Sequence, residues 1–508
     1  MEYEQQTSEI LYEEPHGMHG MLPFLEDSLR RVSVTYMVWL LVALCISFMV
    51  YYLSLGLELA ALRPAQFVYY TVLLGHIIYR FKNGGLRNVM APDIIFIMFY
   101  TLFHLGYITL YSLNIVPFVP DIFYYTASAP RAMFVINLGL IGFLVGYELL
   151  GSRSGGQAQP GDVIIPQNSW CTVGIVLMMI AIAMHIAGLF FLGAELLSRY
   201  GYSAIQRASL YISYWPALFL GKSRHLMTFG LIVYLISSSL RYGKLFHSKL
   251  ALGLTIAFFS IIILEGERGS ILAFGMPILM VRHYFIKPVR IRYLAILLVA
   301  VLPLFSALAV VRTIVFKPAK MLEEYKYQKT ARQLAWYSPL VEMGRSFMVV
   351  AITTNDVPSQ EPYWKGASWR NAAVHMVPFL QGFTSRLGLT SWGPSEWITT
   401  TYFGTGASGR AFTVAAEGYL NFGLPGAFIQ LMLFGLFIRW LTVKFSKKPS
   451  AMWAFIMLGC LGPSITVIRN HVNQVTNRYA QIIVLALLLN LFLGNEPTAE
   501  AELEEAGM

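Results

Sequence analysis

Charged residues are scarce in this sequence of 508 residues. Lys, Arg, Asp and Glu together make up 13% of the chain, whereas 56% of its residues are hydrophobic. A soluble globular domain carries about 25% charged residues, so this composition excludes a set of soluble domains. Long apolar runs separated by short basic connections indicate an integral membrane protein. We expect its spans to be helices, because a helix satisfies its own backbone hydrogen bonds in lipid.

Cysteine is also scarce. Cys45, Cys171 and Cys460 fall in separate apolar runs, which argues against a disulfide framework or a zinc site. The H-E-x-x-H, G-x-S-x-G and Walker patterns are missing as well, so we expect no metal and no other cofactor. The net charge of +10 gathers in the connections between apolar runs, where basic residues indicate topology rather than binding to nucleic acid.

The apolar pattern predicts an all-α polytopic membrane protein with about twelve transmembrane helices. The predicted spans are 34–55, 59–79, 94–115, 132–150, 171–192, 226–240, 250–264, 271–285, 294–311, 422–441, 452–467 and 480–493. Most basic connections fall on one side if both termini are cytoplasmic. In this orientation, 1–33 and the acidic segment 494–508 are cytoplasmic tails. The transmembrane regions are 34–311 and 422–493, and 312–421 between them is a large extracytoplasmic loop.

One apolar stretch, residues 210–220, does not fit that orientation as a further span. Counting it would turn every later basic connection outward. Its sequence, LYISYWPALFL, is rich in the Tyr and Trp that favour the membrane–water boundary. We therefore predict a helix that lies in the interface or re-enters from outside.

The first candidate for chemistry is Arg268, in the short outer turn LEGERGSIL. Arginine binds phosphate with a planar fork of donors and keeps its charge at any relevant pH. A turn this short holds the guanidinium at the membrane surface, where a lipid pyrophosphate would be a suitable partner. The alternative is an internal ion pair with Glu265 or Glu267.

The second candidate is the glycine-rich segment GTGASGR, which contains Gly406, Gly409 and Arg410. Although it matches G-x-G-x-x-G, no strand pattern precedes it, so the match does not predict a dinucleotide-binding fold. Glycines before a helix allow successive backbone N–H groups to point at an anion. With Arg410 beside them, they predict a pyrophosphate site, and a plain flexible loop is the alternative.

A carboxylate and a second basic turn complete the candidate site. Glu417 follows Arg410 by about two helical turns, and a partly desolvated carboxylate near the membrane can act as a general base. In the outer turn IRNHVNQVTNR, Arg469 and Arg478 flank His471. Here the alternatives are a salt bridge between Glu417 and an outer arginine, and an ordinary solvated turn.

The chain resembles the Wzy-type polysaccharide polymerases, also called O-antigen or oligosaccharide repeat unit polymerases. The resemblance rests on LEGERGSIL at 264–272, on RAFTVAAEGYLNFGLPGA at 410–427, and on about a dozen spans with one large outer loop late in the chain. It implies a fold like that of the GT-C-like polymerase and ligase superfamily in the bacterial cytoplasmic membrane. The R-x10-G pattern of some members is not present at that spacing, so no role is transferred through it.

The resemblance implies a glycosyltransferase that polymerises undecaprenyl-pyrophosphate-linked repeat units without nucleotide sugar or metal. It places Arg268 and Arg410 on the pyrophosphates and an acidic residue at Glu417, with a chain-length regulator and a flippase as candidate partners. The basic turn supplies further cations, and His471 is a second candidate base. Two alternatives stay open: a ligase that transfers finished glycan, and a transporter or flippase for the lipid-linked glycan, which would predict internal repeats and polar residues at mid-membrane.

Overall fold

The structure is a computed structural model that describes residues 33–55, 62–82, 89–116, 128–150, 168–193, 214–265, 268–294, 296, 299–300, 303–304, 307, 337–376, 393–403, 411–447 and 450–493. The helices are α1 (Val34–Leu53), α2 (Leu62–Lys82), α3 (Pro92–Ser112), α4 (Ala129–Leu149), α5 (Asn168–Leu192), α6 (Tyr214–Tyr242), α7 (Lys249–Glu265), α8 (Arg268–Val281), α9 (Ser338–Gly344), α10 (Ser346–Asp356), α11 (Ala367–Met376), α12 (Pro394–Phe403), α13 (Val414–Lys447), α14 (Ala451–Val467) and α15 (Val472–Leu493). α8 continues into a π-helical turn at Arg282–Ile286.

Six of these helices are long and apolar enough to cross a membrane, namely α1, α3, α4, α5, α13 and α15. α14 and α8 with its π-helical turn form shorter apolar segments. The chain is therefore an α-helical membrane protein by the length and composition of its helices. Twelve spans, the orientation of the chain and the GT-C-like fold remain predictions from the sequence.

The centre of the fold is the contact between α4 and α13. Of the 18 most apolar consecutive residues of α4, 89% are buried. Small residues let the backbones of α4 and α13 approach each other. Gly142 and Gly146 lie against the carbonyl groups of Phe428 and Met432, and Gly435 lies against the carbonyl of Phe143. Close approach of this kind holds membrane helices together through van der Waals contact, because lipid supplies no hydrophobic driving force between them.

The segment 210–220 is not the separate helix that was predicted to lie in the interface or to re-enter from outside. Its described part, from Tyr214 onward, belongs to α6, which runs unbroken for 29 residues to Tyr242. A helix of that length spans roughly 43 Å at 1.5 Å per residue, more than the roughly 30 Å of hydrocarbon. The Tyr- and Trp-rich end is therefore an extension of the helix that contains the predicted span 226–240, not a separate element.

The predicted outer loop contains helical structure of its own. α9 to α12 and the first turns of α13 all lie within 312–421. α13 begins at Val414, ahead of the predicted start at 422, because Thr413 caps it: its hydroxyl accepts a hydrogen bond from Ala416 N at 3.1 Å. As a result Glu417 stands on a helix and not on a loop.

A break divides α13 into a short first segment, residues 414–421, and a long second one. Phe422 has φ −141° and ψ 19°, and Gly423 has φ 67° and ψ −148°, a combination that is essentially restricted to glycine. The last carbonyls of the first segment accept hydrogen bonds from the N–H groups of Trp364 and Lys365, each at 3.0 Å. The break therefore leaves no orphaned carbonyl at Leu420 or Asn421, and it sets the first segment against α11.

Candidate active site

Glu417, the one carboxylate among the predicted site residues, lies in the interior of the protein. Its side chain is fully buried, and Oε2 accepts hydrogen bonds from Val472 N at 2.7 Å and from Gln430 Nε2 at 3.3 Å. Val472 is the first residue of α15, so its N–H has no partner within the helix. The carboxylate therefore caps the N-terminus of α15 from a different helix.

The residues around Glu417 form a continuous polar network. Gln430 Oε1 accepts a hydrogen bond from Trp369 Nε1 at 3.0 Å, and Asn421 Nδ2 donates to Ser368 Oγ at 2.7 Å. Ser368 lies beside the same carboxylate. The network joins α11, both segments of α13 and α15, so the position of Glu417 is fixed by three helices.

No cation balances this carboxylate in the part of the chain that the structure describes. The salt bridges found there involve Asp93 and Glu265, and Glu417 forms none. A buried charge with only neutral partners is costly, and N–H donors at a helix N-terminus offset part of that cost. A carboxylate in this setting gains stability by accepting a proton, as a general base must.

An apolar cavity of about 560 Å³ lies next to the carboxylate. Trp369, Gln430 and Val472 line it on the side that faces the network, and the rest of its wall comes mainly from apolar side chains of α13 and α15. Gln430 and Val472 thus contact both the cavity and Glu417. The polar end and the apolar wall of this cavity would suit an amphipathic molecule.

The predicted basic turn adjoins the same network. His471 precedes Val472 directly, is buried, and places Nδ1 3.0 Å from Ser395 Oγ. Arg469 lies with Cζ 5.9 Å from the centre of the Phe103 ring. Arg478 donates from Nη1 to Thr466 Oγ1 at 3.5 Å. The structure therefore brings Glu417 and His471 to one helix N-terminus. Of the predicted turn 468–478, Arg469 precedes α15, whereas Arg478 lies within that helix, which begins at Val472.

The other predicted residues are not tested by the geometry. Gly406, Gly409 and Arg410 lie outside the described residues, as does the side chain of Arg268, whose backbone begins α8. Their convergence on the pyrophosphate stays a prediction, and so does the alternative salt bridge between Arg410 and Glu417.

A second buried polar cluster was not predicted from the sequence. His185 of α5 accepts or donates at both ring nitrogens, with Nδ1 2.9 Å from Ser223 Oγ and Nε2 2.8 Å from Glu265 Oε1. Arg224 Nη2 donates to Glu265 Oε2 at 2.7 Å. Glu265 had been considered as a partner of Arg268, and the structure pairs it with Arg224 and His185. A single histidine in an apolar run gives no sequence pattern that would predict these contacts.

The fold and the site together define a class: an α-helical membrane protein with a buried carboxylate network beside an apolar cavity. Comparison with known proteins adds no narrower assignment, since no family model, no curated protein and no solved structure matches this chain.

Proposed function

We propose that this protein is a membrane glycosyltransferase that polymerises undecaprenyl-pyrophosphate-linked oligosaccharide repeat units on the outer face of the bacterial cytoplasmic membrane. The proposal includes about twelve spans, cytoplasmic termini and a fold like that of the GT-C-like polymerases and ligases. The observation that carries it is the buried Glu417 carboxylate, held without a described counter-ion at the N-terminus of α15.

The transfer requires few protein groups. A hydroxyl of the acceptor sugar attacks the anomeric carbon of the donor, a C–O bond forms, and the bond from that carbon to the pyrophosphate breaks. The hydroxyl proton goes to the Glu417 carboxylate, and the electron pair leaves with the pyrophosphate. General-base assistance contributes typically 10²- to 10⁴-fold to rate, and each well-placed donor on the leaving group contributes about 10²- to 10³-fold.

The donors for the leaving group are arginines. Arg469 and Arg478 belong to the segment that also supplies the Val472 N–H to Glu417, and Arg268 and Arg410 are assigned to the pyrophosphate by the family resemblance. A guanidinium fork matches phosphate oxygens bidentately. No nucleotide sugar, metal or other cofactor enters the scheme, since the pyrophosphate is already the activated leaving group.

The choice of Glu417 over His471 as base rests on their contacts. Oε2 of Glu417 accepts from two N–H donors, and the hydroxyl of Ser368 also lies beside the carboxylate. These groups orient the carboxylate by donating hydrogen bonds to it. His471 shares a hydrogen bond at Nδ1 with the Ser395 hydroxyl. The apolar cavity beside Gln430 and Val472 supports a role in holding the isoprenoid part of a lipid-linked substrate.

The test is reconstitution with synthetic lipid-linked repeat units, without nucleotide sugar or metal. The purified full-length protein is expected to give a ladder of products that differ by one repeat unit. Arg410→Ala should abolish the ladder, whereas Arg345→Ala, at an exposed position on the α9–α10 junction, should retain it.

Other outcomes would overturn the proposal. Transfer of preformed polymer to a lipid-core or protein acceptor, with no lengthening of single units, would identify a ligase. Movement of the lipid-linked glycan across the bilayer of proteoliposomes without any new glycosidic bond would identify a transporter or flippase.

A further inference from the structure

A second pocket, separate from the Glu417 network, lies at the ends of two membrane helices. It has a volume of about 230 Å³ and is lined by residues that include Tyr51, Ser54, Arg131, Thr354 and Asn355. Ser54 follows α1 directly and Arg131 stands in the first turn of α4. Both helices are long and apolar enough to cross the membrane, so the pocket lies at the boundary between lipid and water.

Arg131 is the only charged side chain among the described residues that line this pocket. It is half-buried and donates from Nε to the Tyr51 hydroxyl at 3.1 Å and from Nη1 to the Thr354 carbonyl at 3.2 Å. The phenol of Tyr419 also lies close to it. All three partners are neutral, and no salt bridge to Arg131 occurs in the described part of the chain.

A half-buried guanidinium with neutral partners retains an unbalanced charge. Taking a cation out of water costs free energy unless an anion compensates for it. The Tyr51 and Thr354 contacts fix the orientation of the guanidinium at the pocket wall, and the hydroxyl of Ser54 and the amide of Asn355 add polar groups beside it. This set of groups suits a small anion that carries hydroxyl or ester oxygens.

The surface of α1 indicates where that anion comes from. Val38, Val42, Ile46, Met49 and Leu53 are all exposed, and their spacing of three or four residues places them along one face of the helix. Exposed apolar surface continues beyond this stripe to Leu55, which lines the pocket. An acyl chain lying along this stripe would carry its headgroup to the pocket, which favours a membrane lipid over a soluble anion.

The pocket is distinct from the candidate active site. Tyr419, which lies near Arg131, and Glu417 are two residues apart on one helix and therefore point about 200° apart. The first segment of α13 thus presents Glu417 towards α15 and Tyr419 towards α4. A ligand at Arg131 would contact the opposite side of the segment that carries the carboxylate.

We infer that the Arg131 pocket binds the headgroup phosphate of an anionic phospholipid whose acyl chains lie along α1. Arg131 supplies the charge. The Asn355 amide, which gives one hydrogen to Asp356, can donate its second to a headgroup oxygen. Ser54 Oγ, whose hydrogen goes to the Tyr51 carbonyl, can accept from a headgroup hydroxyl. This inference does not depend on the proposed glycosyltransferase activity.

The test measures lipid binding by the purified full-length protein with native mass spectrometry. Short-chain phosphatidylglycerol is the probe, and phosphatidylcholine of the same chain length is the zwitterionic control. We expect phosphatidylglycerol to bind in preference, and Arg131→Gln to weaken its binding about tenfold, as expected for loss of a hydrogen bond between charged groups. Arg345→Gln, which removes an exposed charge elsewhere, should bind like the unaltered protein.

Three results would overturn the inference. Equal binding of phosphatidylglycerol by Arg131→Gln and the unaltered protein would exclude the site, and equal binding of both lipids would exclude an anion preference. Glycerol phosphate binding as tightly as the lipid would identify a soluble ligand. If Arg131→Gln does not fold, Ser54→Leu fills the pocket while leaving the cation in place, and it should lose phosphatidylglycerol to a similar extent; unchanged binding would again exclude the site.

Discussion

Replacing Glu417 by glutamine separates the chemistry of this side chain from its place in the fold. The two side chains have nearly the same volume, so the packing around residue 417 should be kept. The remaining carbonyl oxygen can still accept from Val472 N and Gln430 Nε2, which now donate to Oε2 at 2.7 and 3.3 Å. The amide cannot accept a proton from a sugar hydroxyl.

The expected change in stability is small. Hydrogen bonds to charged groups contribute about 1.5–3 kcal/mol and neutral ones about 0.5–1.5 kcal/mol, so the two weakened bonds at Glu417 together cost about 2 kcal/mol. Relief from burying a charge offsets part of that loss. The rate of polymer formation, by contrast, should fall about 10²- to 10⁴-fold, because the general base is gone.

The assay compares initial rates of ladder formation from synthetic lipid-linked repeat units, together with thermal unfolding in the same detergent. Glu396→Gln is the matched control: Glu396 is an exposed carboxylate of α12 that accepts from Gly393 N at 3.0 Å. It should leave the rate unchanged. A Glu417→Gln protein that is folded and polymerises at the unaltered rate would refute Glu417 as the base.

Two further predictions concern the basic turn and the helix break. Arg478→Gln should lower the polymerisation rate about 10²- to 10³-fold, because it removes a donor to the leaving group; an unaltered initial rate of ladder formation in the folded variant would contradict its role. Gly423→Ala should lower the free energy of unfolding by about 1–3 kcal/mol, since φ is 67° and an added Cβ would lie 3.0 Å from Tyr363 Oη. Gly253→Ala, with open space around it, is the control, and equal unfolding temperatures would refute a strained break.

The apolar pattern predicts helices well where hydropathy alone decides their extent. The predicted span 452–467 corresponds to Ala451–Val467, and 171–192 corresponds to Asn168–Leu192. These runs are apolar throughout, and a sufficiently long apolar run is enough to specify a membrane helix. Prediction is poorer where polar residues continue a helix beyond its apolar part. α13 begins at Val414 and not at 422 because a threonine cap stabilises the start of its polar first segment, and hydrogen bonds from Trp364 and Lys365, just before α11, stabilise its end.

The candidate site could be predicted only in part. Glu417 and His471 stand out because ionisable residues are rare in this chain, and the structure places them at one helix N-terminus. The partners of Glu417 could not be predicted. Val472 contributes a backbone N–H, which every residue except proline carries, and the contact joins positions 55 residues apart. Arg131 was missed because a single arginine at the start of an apolar run is also a common feature of membrane topology.

The way in which α15 is capped bears on whether Glu417 has only a structural role. Helices are usually capped by a Ser, Thr, Asp or Asn side chain next to the first turn, and such a cap buries no charge far from its helix. Here the cap is a fully buried carboxylate from another helix. If capping were its only role, a neutral amide would serve at lower desolvation cost, and Glu417→Gln would keep the rate of the unaltered protein with no more than the small loss of stability estimated above. A departure from the usual pattern of helix capping is expected at a functional site. Glu417→Gln is therefore expected to lower the rate while keeping the stability, and Glu417→Ala to lower both. That pair of results would show that the buried charge serves the chemistry and that the shape of the side chain serves the fold.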